Sequence, residues 1–272
     1  MDWRLLLLIA CTGGLSIFPP VSAPNLKIPV ERHTTQCSTK QVQQLAKSIT
    51  VKILSKGFLG SGILIQRNKA IYTVLTNAHV LRAGEAPYQI QTPDGRVYPA
   101  NLPKDTKSLQ GNDLALLQFH SLNATYTLAC LGTASTLSAG NEVFASGFPF
   151  DADGNQDKGF VVKAGEISLV LNKALDGGYQ IGYTNDIQKG MSGGPLLNSA
   201  GEVVAINGMH AEPLWGDPYV YQDGTQPEPS LRKQLRKYSW GIPIETFVHL
   251  VSISFSATDS DINIQTIEAK VK

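Results

Sequence analysis

A chain of 272 residues with 42% hydrophobic and 17% charged side chains has material for a sizeable core, which excludes wholesale disorder. Its formal net charge of +1 argues against nucleic acid, or an anionic membrane, as a partner held by bulk electrostatics. The 25 glycines and 15 prolines point to a turn-rich, β-rich chain. At the N-terminus Arg4 precedes an apolar run over 5–10 that fades through Gly13, Gly14 and Pro19-Pro20. That run is too short to span a bilayer and fits a secretory signal over 1–23, with Val21-Ser22-Ala23 as small residues before the cut. A secreted or periplasmic product with no membrane span in the mature chain is expected. A second option is Leu8-Ile9-Ala10-Cys11, which has the pattern of a lipobox and would anchor the chain at Cys11.

An N-terminal segment over 24–47 follows, with a helical pattern at 39–46. From residue 48 onward, short apolar or alternating runs recur between turn signals. They fall at 49–54, 62–66, 71–76, 88–91, 97–100, 114–119, 143–147, 160–163, 167–171, 179–183, 196–197, 203–207 and 239–244. Pro93-Asp94-Gly95 and Asn198-Ser199-Ala200-Gly201 read as hairpin turns. Helical patterns recur only at 230–237 and 244–251. The pattern predicts an all-β chain of about a dozen strands with a C-terminal helix, divided into two sets by a weak break near 121–131.

Three places carry chemistry. Thr76-Asn77-Ala78-His79-Val80 puts a histidine where an apolar strand ends, and Gly111-Asn112-Asp113-Leu114 puts an aspartate where another begins. Lys189-Gly190-Met191-Ser192-Gly193-Gly194-Pro195 sets a serine among glycines. A serine nucleophile needs a base, and the base needs an orienting carboxylate; His79, Asp113 and Ser192 are those parts, each at a strand–loop boundary. Taken singly, each is better read as an ordinary turn, cap or strand end. Gly-x-Ser-x-Gly also describes the nucleophile elbow of α/β-hydrolases, but Pro195 leads into a hairpin rather than a helix, and alternating strand–helix units are missing.

In these three motifs the sequence resembles the trypsin-like (chymotrypsin-fold) serine peptidases, most closely the bacterial HtrA/Deg type, over roughly 48–251. Gly60-Ser61-Gly62-Ile63-Leu64-Ile65, Ala145-Ser146-Gly147-Phe148-Pro149-Phe150 and Trp240-Gly241-Ile242-Pro243-Ile244 also look like family segments. The resemblance implies two six-stranded antiparallel β-barrels packed perpendicular, the first over about 48–128 and the second over about 129–251. It implies a serine endopeptidase acting on a protein or peptide, with no cofactor. His79 would be the general base, Asp113 its orienting partner and Ser192 the nucleophile, with the backbone N–H groups of Gly190 and Ser192 as an oxyanion hole. A binding module on the same fold, with that hole collapsed, is the competing expectation, and a general esterase a weaker one.

The resemblance also carries departures. Met191 stands where digestive members have an aspartate that pairs with a new N-terminus, so activation by that ion pair is not expected. HtrA-type members usually continue into a PDZ domain; only a tail over 252–272 follows here, so a peptidase domain alone is expected. Asp186 lies six residues before Ser192, where trypsin-like members place the base of the specificity pocket, while a strand-end aspartate paired with Lys189 or turned to solvent is the plainer reading. Asn207 matches the position at which glutamate-specific relatives carry histidine, and His210 lies just beyond.

Other features stay open at this level. Cys37 and Cys130 are a disulfide candidate if the chain is exported, and two buried thiols otherwise. The insertion over 211–237 offers Trp215, Tyr219 and Tyr221 as substrate contacts, while Arg232, Lys233, Arg236 and Lys237 are best read as a solvated face. The Asp151–Asp157 stretch lacks the glycine and glutamate of a calcium loop and reads as a polar hairpin tip. No Cys/His cluster has metal-ligand spacing.

Overall fold

The structure, a computed structural model, describes residues 36–56, 58–103, 109, 111–150, 158–211 and 218–258. The segment 1–23 read as a signal (with Cys11), the 151–157 stretch, Trp215 and residues 259–272 lie outside them. In chain order the elements are α1 (Thr39–Ile49), β1 (Thr50–Leu54), β2 (Phe58–Asn68), β3 (Ile71–Thr76), α2 (Ala78–Arg82), β4 (Tyr88–Gln91), β5 (Val97–Asn101) and β6 (Ala115–His120). Then follow β7 (Glu142–Gly147), β8 (Val161–Val170), β9 (Ile181–Tyr183), β10 (Pro195–Asn198), β11 (Val203–Met209), α3 (Pro229–Leu235), β12 (Ser239–Pro243) and α4 (Ile244–Thr258).

The strands close into two antiparallel barrels of six, ordered β1-β2-β3-β6-β5-β4 and β10-β11-β12-β9-β8-β7. Each hydrophobic strand has two faces to bury, and the period of two decides which core each residue enters. In β2 and β3, Leu64 and Val74 enter the first barrel's interior with Val51, Ile90 and Leu117. Their neighbours Ile63 and Leu75 point the other way, into a cluster that also holds Phe144, Leu197 and Ile206 of the second barrel. In that barrel Val143, Ala145, Leu196 and Ala205 fill the interior. The shared cluster is therefore the seam between the barrels, and strands that line it are buried on both faces.

Helix α1 belongs to the seam. A capping box at Ser38 and Gln41 starts it, with Ser38 N–H donating to Gln41 Oε1 at 2.8 Å. Val42, Ala46 and Ile49 recur at helical spacing, and all three are buried in the shared cluster. The part of the 24–47 segment that is described is thus packed against both barrels rather than standing apart from them.

Two of the expected runs, 160–163 and 167–171, are one strand, β8. Gly165 sits inside it because a Cβ there would lie 2.4 Å from Asn185 Oδ1. The short helix α2 was not expected. Of the described part of the insertion before β12, Tyr219 is fully buried in the seam cluster, and Tyr221 lies under the Lys173 ammonium, 4.6 Å from its ring centroid. Neither is a free substrate contact, while Lys233, Arg236 and Lys237 are exposed as expected. Among the described residues no helix is long and apolar enough to cross a membrane.

The disulfide expectation is overturned: Cys37 and Cys130 are both free thiols. Each backbone is tied to a different part of the β10–β11 hairpin. Cys37 N–H donates to Ser199 O at 2.9 Å and its thiol to Ala200 O at 3.6 Å, whereas Cys130 O accepts from Val203 N–H at 2.8 Å.

Candidate active site

The end of β3, buried on both faces, delivers the chain to the seam, where Asn77 caps α2 and His79 occupies its first turn. Asn77 is buried and its Nδ2 donates to Asp113 O at 2.9 Å, which ties the start of α2 to the start of β6. The His79 backbone N–H donates to Asp113 Oδ1 at 2.8 Å, and ring Nδ1 lies 2.5 Å from Asp113 Oδ2. Both bonds run between the same two residues, so imidazole position and orientation are set together.

Asp113 is held from the second barrel as well. Its N–H donates to Gly177 O at 2.8 Å, and the hydroxyl of buried Tyr179 donates to Oδ2 at 2.5 Å. The Arg82 guanidinium stands 3.4 Å from Oδ1, largely in solvent. Burial opposes the Asp113 charge, but the hydrogen bond and charge of the His79 ring, followed by the Tyr179 hydroxyl, outweigh it and hold the carboxyl below its ordinary range. Burial first, and the Asp113 carboxylate second, push the Tyr179 phenol well above its usual range, so it stays protonated and donates.

The serine loop is folded by its own backbone. Met191 N–H donates to Gln188 O at 2.9 Å and Gly194 N–H to Met191 O at 3.1 Å. Gly193 N–H and Asn207 N–H then join the loop to β11, at 2.8 and 2.9 Å. Gly190 has φ +96°, and a Cβ there would meet Phe148 O at 2.4 Å and the Phe150 ring at 2.5 Å. At Gly193, φ +82°, a Cβ would fall 2.2 Å from both Ser61 O and Thr76 Oγ1. These two glycines are where the opposing barrel and the preceding loop come too close for any side chain.

Lys189 O accepts from Phe150 N–H at 3.1 Å. Because the peptide is planar and trans, the N–H of Gly190 points the opposite way. Ser61, from β2, braces this turn: its Oγ donates to Gly190 O at 2.8 Å and accepts from Phe148 N–H at 3.0 Å. Among the described residues neither Gly190 N–H nor Ser192 N–H donates to a protein acceptor. Ser192 Oγ donates to Gly208 O at 3.2 Å rather than to the His79 ring.

His79 and Asp113 from the first barrel and Gly190 and Ser192 from the second are thus carried on elements that meet at the seam. The two residues read as substrate-binding are not placed for that role. The chain after β9 alternates outward and inward, so Asn185 and Ile187 are buried while Asp186 is exposed and 3.8 Å from Lys163 Nζ. Its side chain forms no pocket floor. Asn207 is fully buried with its amide committed: Oδ1 accepts from Tyr183 OH at 2.9 Å, and Nδ2 donates to Ser146 O and Pro195 O at 3.2 and 3.1 Å. It is an internal cross-link of the second barrel. His210 Nδ1 donates to the next carbonyl, Ala211 O, at 2.8 Å. Met191 is fully buried in the second barrel's core with Ile187 and Leu196, so the position before the serine is an apolar plug.

Sequence reasoning missed two residues with direct bonds to this constellation, Tyr179 and Ser61. Ser61 stands inside the Gly60–Ile65 motif, and its small neighbours, Gly60 and Gly62, were the available signal. Tyr179 lies 66 positions from Asp113, and nothing in its local pattern separates it from a core tyrosine.

Two barrels with a histidine–aspartate pair and a glycine-bound serine at their seam define the trypsin-like class of fold and site. The profile of the trypsin-like peptidase domain matches residues 60–206, more than half of the chain, and the chain belongs to that family. It is 34% identical over 157 residues to the mitochondrial serine protease HTRA2 of Drosophila persimilis, and equally to that of Drosophila ananassae. That alignment covers 55% of this chain and 34% of each relative, so the chain spans about a third of the length of the curated relatives it matches. In structure it resembles a serine endoprotease from Yersinia pestis, with a TM-score of 0.55 and 23% identity, covering 79% of this chain and 65% of the other.

Proposed function

We propose that this chain is a secreted serine endopeptidase that hydrolyses peptide bonds in proteins or peptides, with His79, Asp113 and Ser192 as its triad. The observation that carries the reading is the doubled hydrogen bond between His79 and Asp113 beside a serine whose loop leaves two N–H groups free. Peptidase domain boundaries of 48–251 go with it, although α1 extends the packed unit back to Thr39.

In this mechanism Ser192 Oγ attacks the scissile carbonyl carbon as its proton passes to His79 Nε2. The carbonyl oxygen becomes an oxyanion that accepts from the N–H groups of Gly190 and Ser192; each such donor is worth about 100- to 1000-fold in rate. Collapse breaks the C–N bond, the departing amine takes the proton from His79, and an acyl-Ser192 ester remains. Water, deprotonated by His79, attacks that ester; the second oxyanion collapses, the carboxylic product leaves and Ser192 regains its proton. Asp113 stays ionised throughout and stabilises the imidazolium. Export is supported by the Arg4 and 5–10 leader pattern alone.

A gated or binding form is the second reading. The Ser192 hydroxyl donating to Gly208 O favours it, since that hydrogen bond must be given up before the proton passes to His79. A fluorophosphonate probe separates the two. Labelling of the folded wild type and not of Ser192→Ala supports the peptidase; absence of labelling in folded wild type removes it in favour of the gated form.

A further inference from the structure

We propose that Tyr179 is a positioning residue for Asp113: carried by the second barrel, its phenol aims the first barrel's carboxylate at the His79 ring, and Gly208 lacks a side chain so that the phenol can stand there. The inference rests on the peptidase reading and deepens it.

A carboxylate with one anchored oxygen is still free to swing the other. Asp113 Oδ1 takes the His79 backbone N–H, and Oδ2 holds His79 Nδ1. The Tyr179 hydroxyl reaches that same Oδ2 at 2.5 Å, so it fixes the oxygen on which the ring depends. Asp113 is faced by His79 and Arg82 from α2 and by Tyr179 from the turn over 175–179; Arg82 is mostly in solvent, which leaves the phenol as the buried donor from outside α2. That turn is itself docked on the aspartate. Gly177 O accepts from Asp113 N–H, and a Cβ at Gly178 would lie 2.6 Å from Asn112 Oδ1. Leu175 N–H in turn donates to Tyr179 O at 2.9 Å, which closes the turn.

Gly208 supplies the second, independent sign. A Cβ there would lie 2.3 Å from the Tyr179 hydroxyl oxygen and 2.5 Å from a ring carbon. Its carbonyl receives the Ser192 hydroxyl. One residue without a side chain thus makes room for the phenol that orients the base's partner while its own carbonyl holds the nucleophile. A tyrosine that merely filled the core would need only its ring there.

The test compares wild type with Tyr179→Phe, which keeps the ring and removes the donor. Loss of a hydrogen bond to a charged group should lower kcat by about 10-fold while KM stays within about 2-fold. The downfield proton resonance of His79 Nδ1–H should move in the same variant, and this readout does not depend on turnover. A fall in thermal stability with kcat and the resonance unchanged would make Tyr179 a packing residue and overturn the inference. Wild type that never labels with fluorophosphonate would sink the peptidase reading instead, while the resonance still decides the positioning. Should Tyr179→Phe not fold, the [13C]Cζ resonance of Tyr179 is compared between wild type and Asp113→Asn; an unmoved signal overturns the proposal and a shifted one supports it.

Discussion

Asp113 receives His79 twice, through the backbone N–H at Oδ1 and through the ring at Oδ2. Asp113→Asn keeps the shape and the first bond but can present an N–H to Nδ1, which favours the wrong imidazole tautomer. For the proposed peptidase kcat should fall by about 10,000-fold with the fold intact. Steady-state kinetics of the purified variant beside a circular-dichroism melt checks both halves.

The same aspartate sets a pH dependence of stability. Its folded pKa is depressed, so its contribution is fully present above the unfolded value of about 3.9 and is lost as pH falls through the lower folded value. The melting-temperature advantage of wild type over Asp113→Asn should hold from neutral pH down to about 4 and shrink only below that. An advantage that fades between pH 7 and 5 would contradict the assignment.

Gly190→Ala places a methyl against Phe148 O on a backbone at φ +96°. The turn must shift, and the Gly190 N–H moves with it. Acylation of Ser192 should slow by about 100- to 1000-fold, measured as the second-order rate of fluorophosphonate labelling. A rate near wild type would remove Gly190 from the oxyanion hole.

Ser61→Ala strips both partners from the same turn: Gly190 O loses a donor and Phe148 N–H loses an acceptor. Ser61 is fully buried, so water does not readily replace it. Stability should fall by about 1–3 kcal/mol in urea denaturation, and labelling of Ser192 should slow as well.

Asp186→Asn should leave cleavage preference unchanged across a peptide library, because the carboxylate is exposed beside Lys163 rather than enclosed. A lost preference for Lys or Arg before the cut would reinstate it as a specificity residue.

The architecture was legible because its signals are local. Apolar alternation located most of the strands, with β3 and β4 matching at both ends, and the helical pattern at 39–46 located α1, although Ile49, read as the start of a strand, is the helix's last residue. The residues proposed as the triad were legible because each sits at a strand–loop boundary in a distinctive motif. What failed depends on tertiary pairing. Asp186 and Asn207 were placed by analogy of position, yet one is turned outward by the in–out alternation of the chain after β9 and the other is consumed by three cross-strand bonds. Two cysteines in a chain expected to be exported suggested a bridge, but both are free thiols, a pairing that local sequence does not encode. Tyr179 escaped because a phenol acquires its role only when the second barrel brings it to Asp113.

Helix α1 lies at the start of the described chain, yet the partners of its entry are among the last strands. Cys37 bonds to Ala200 across 163 positions of sequence, and the buried stripe of α1 meets Leu197 and Ile206. Such distant contacts are costly to close and form late. On a ribosome β2 and β7 are available to this helix early, but the β10–β11 part of its docking site is missing until the strands beyond Ser192 have been made. Completion of its docking is therefore expected late in folding, as a latch that closes fully only once β10 and β11 are in place. Pulse-labelled hydrogen exchange should find the α1 amides protected after those of β2, β3 and β6; protection at the outset would show that the latch closes first.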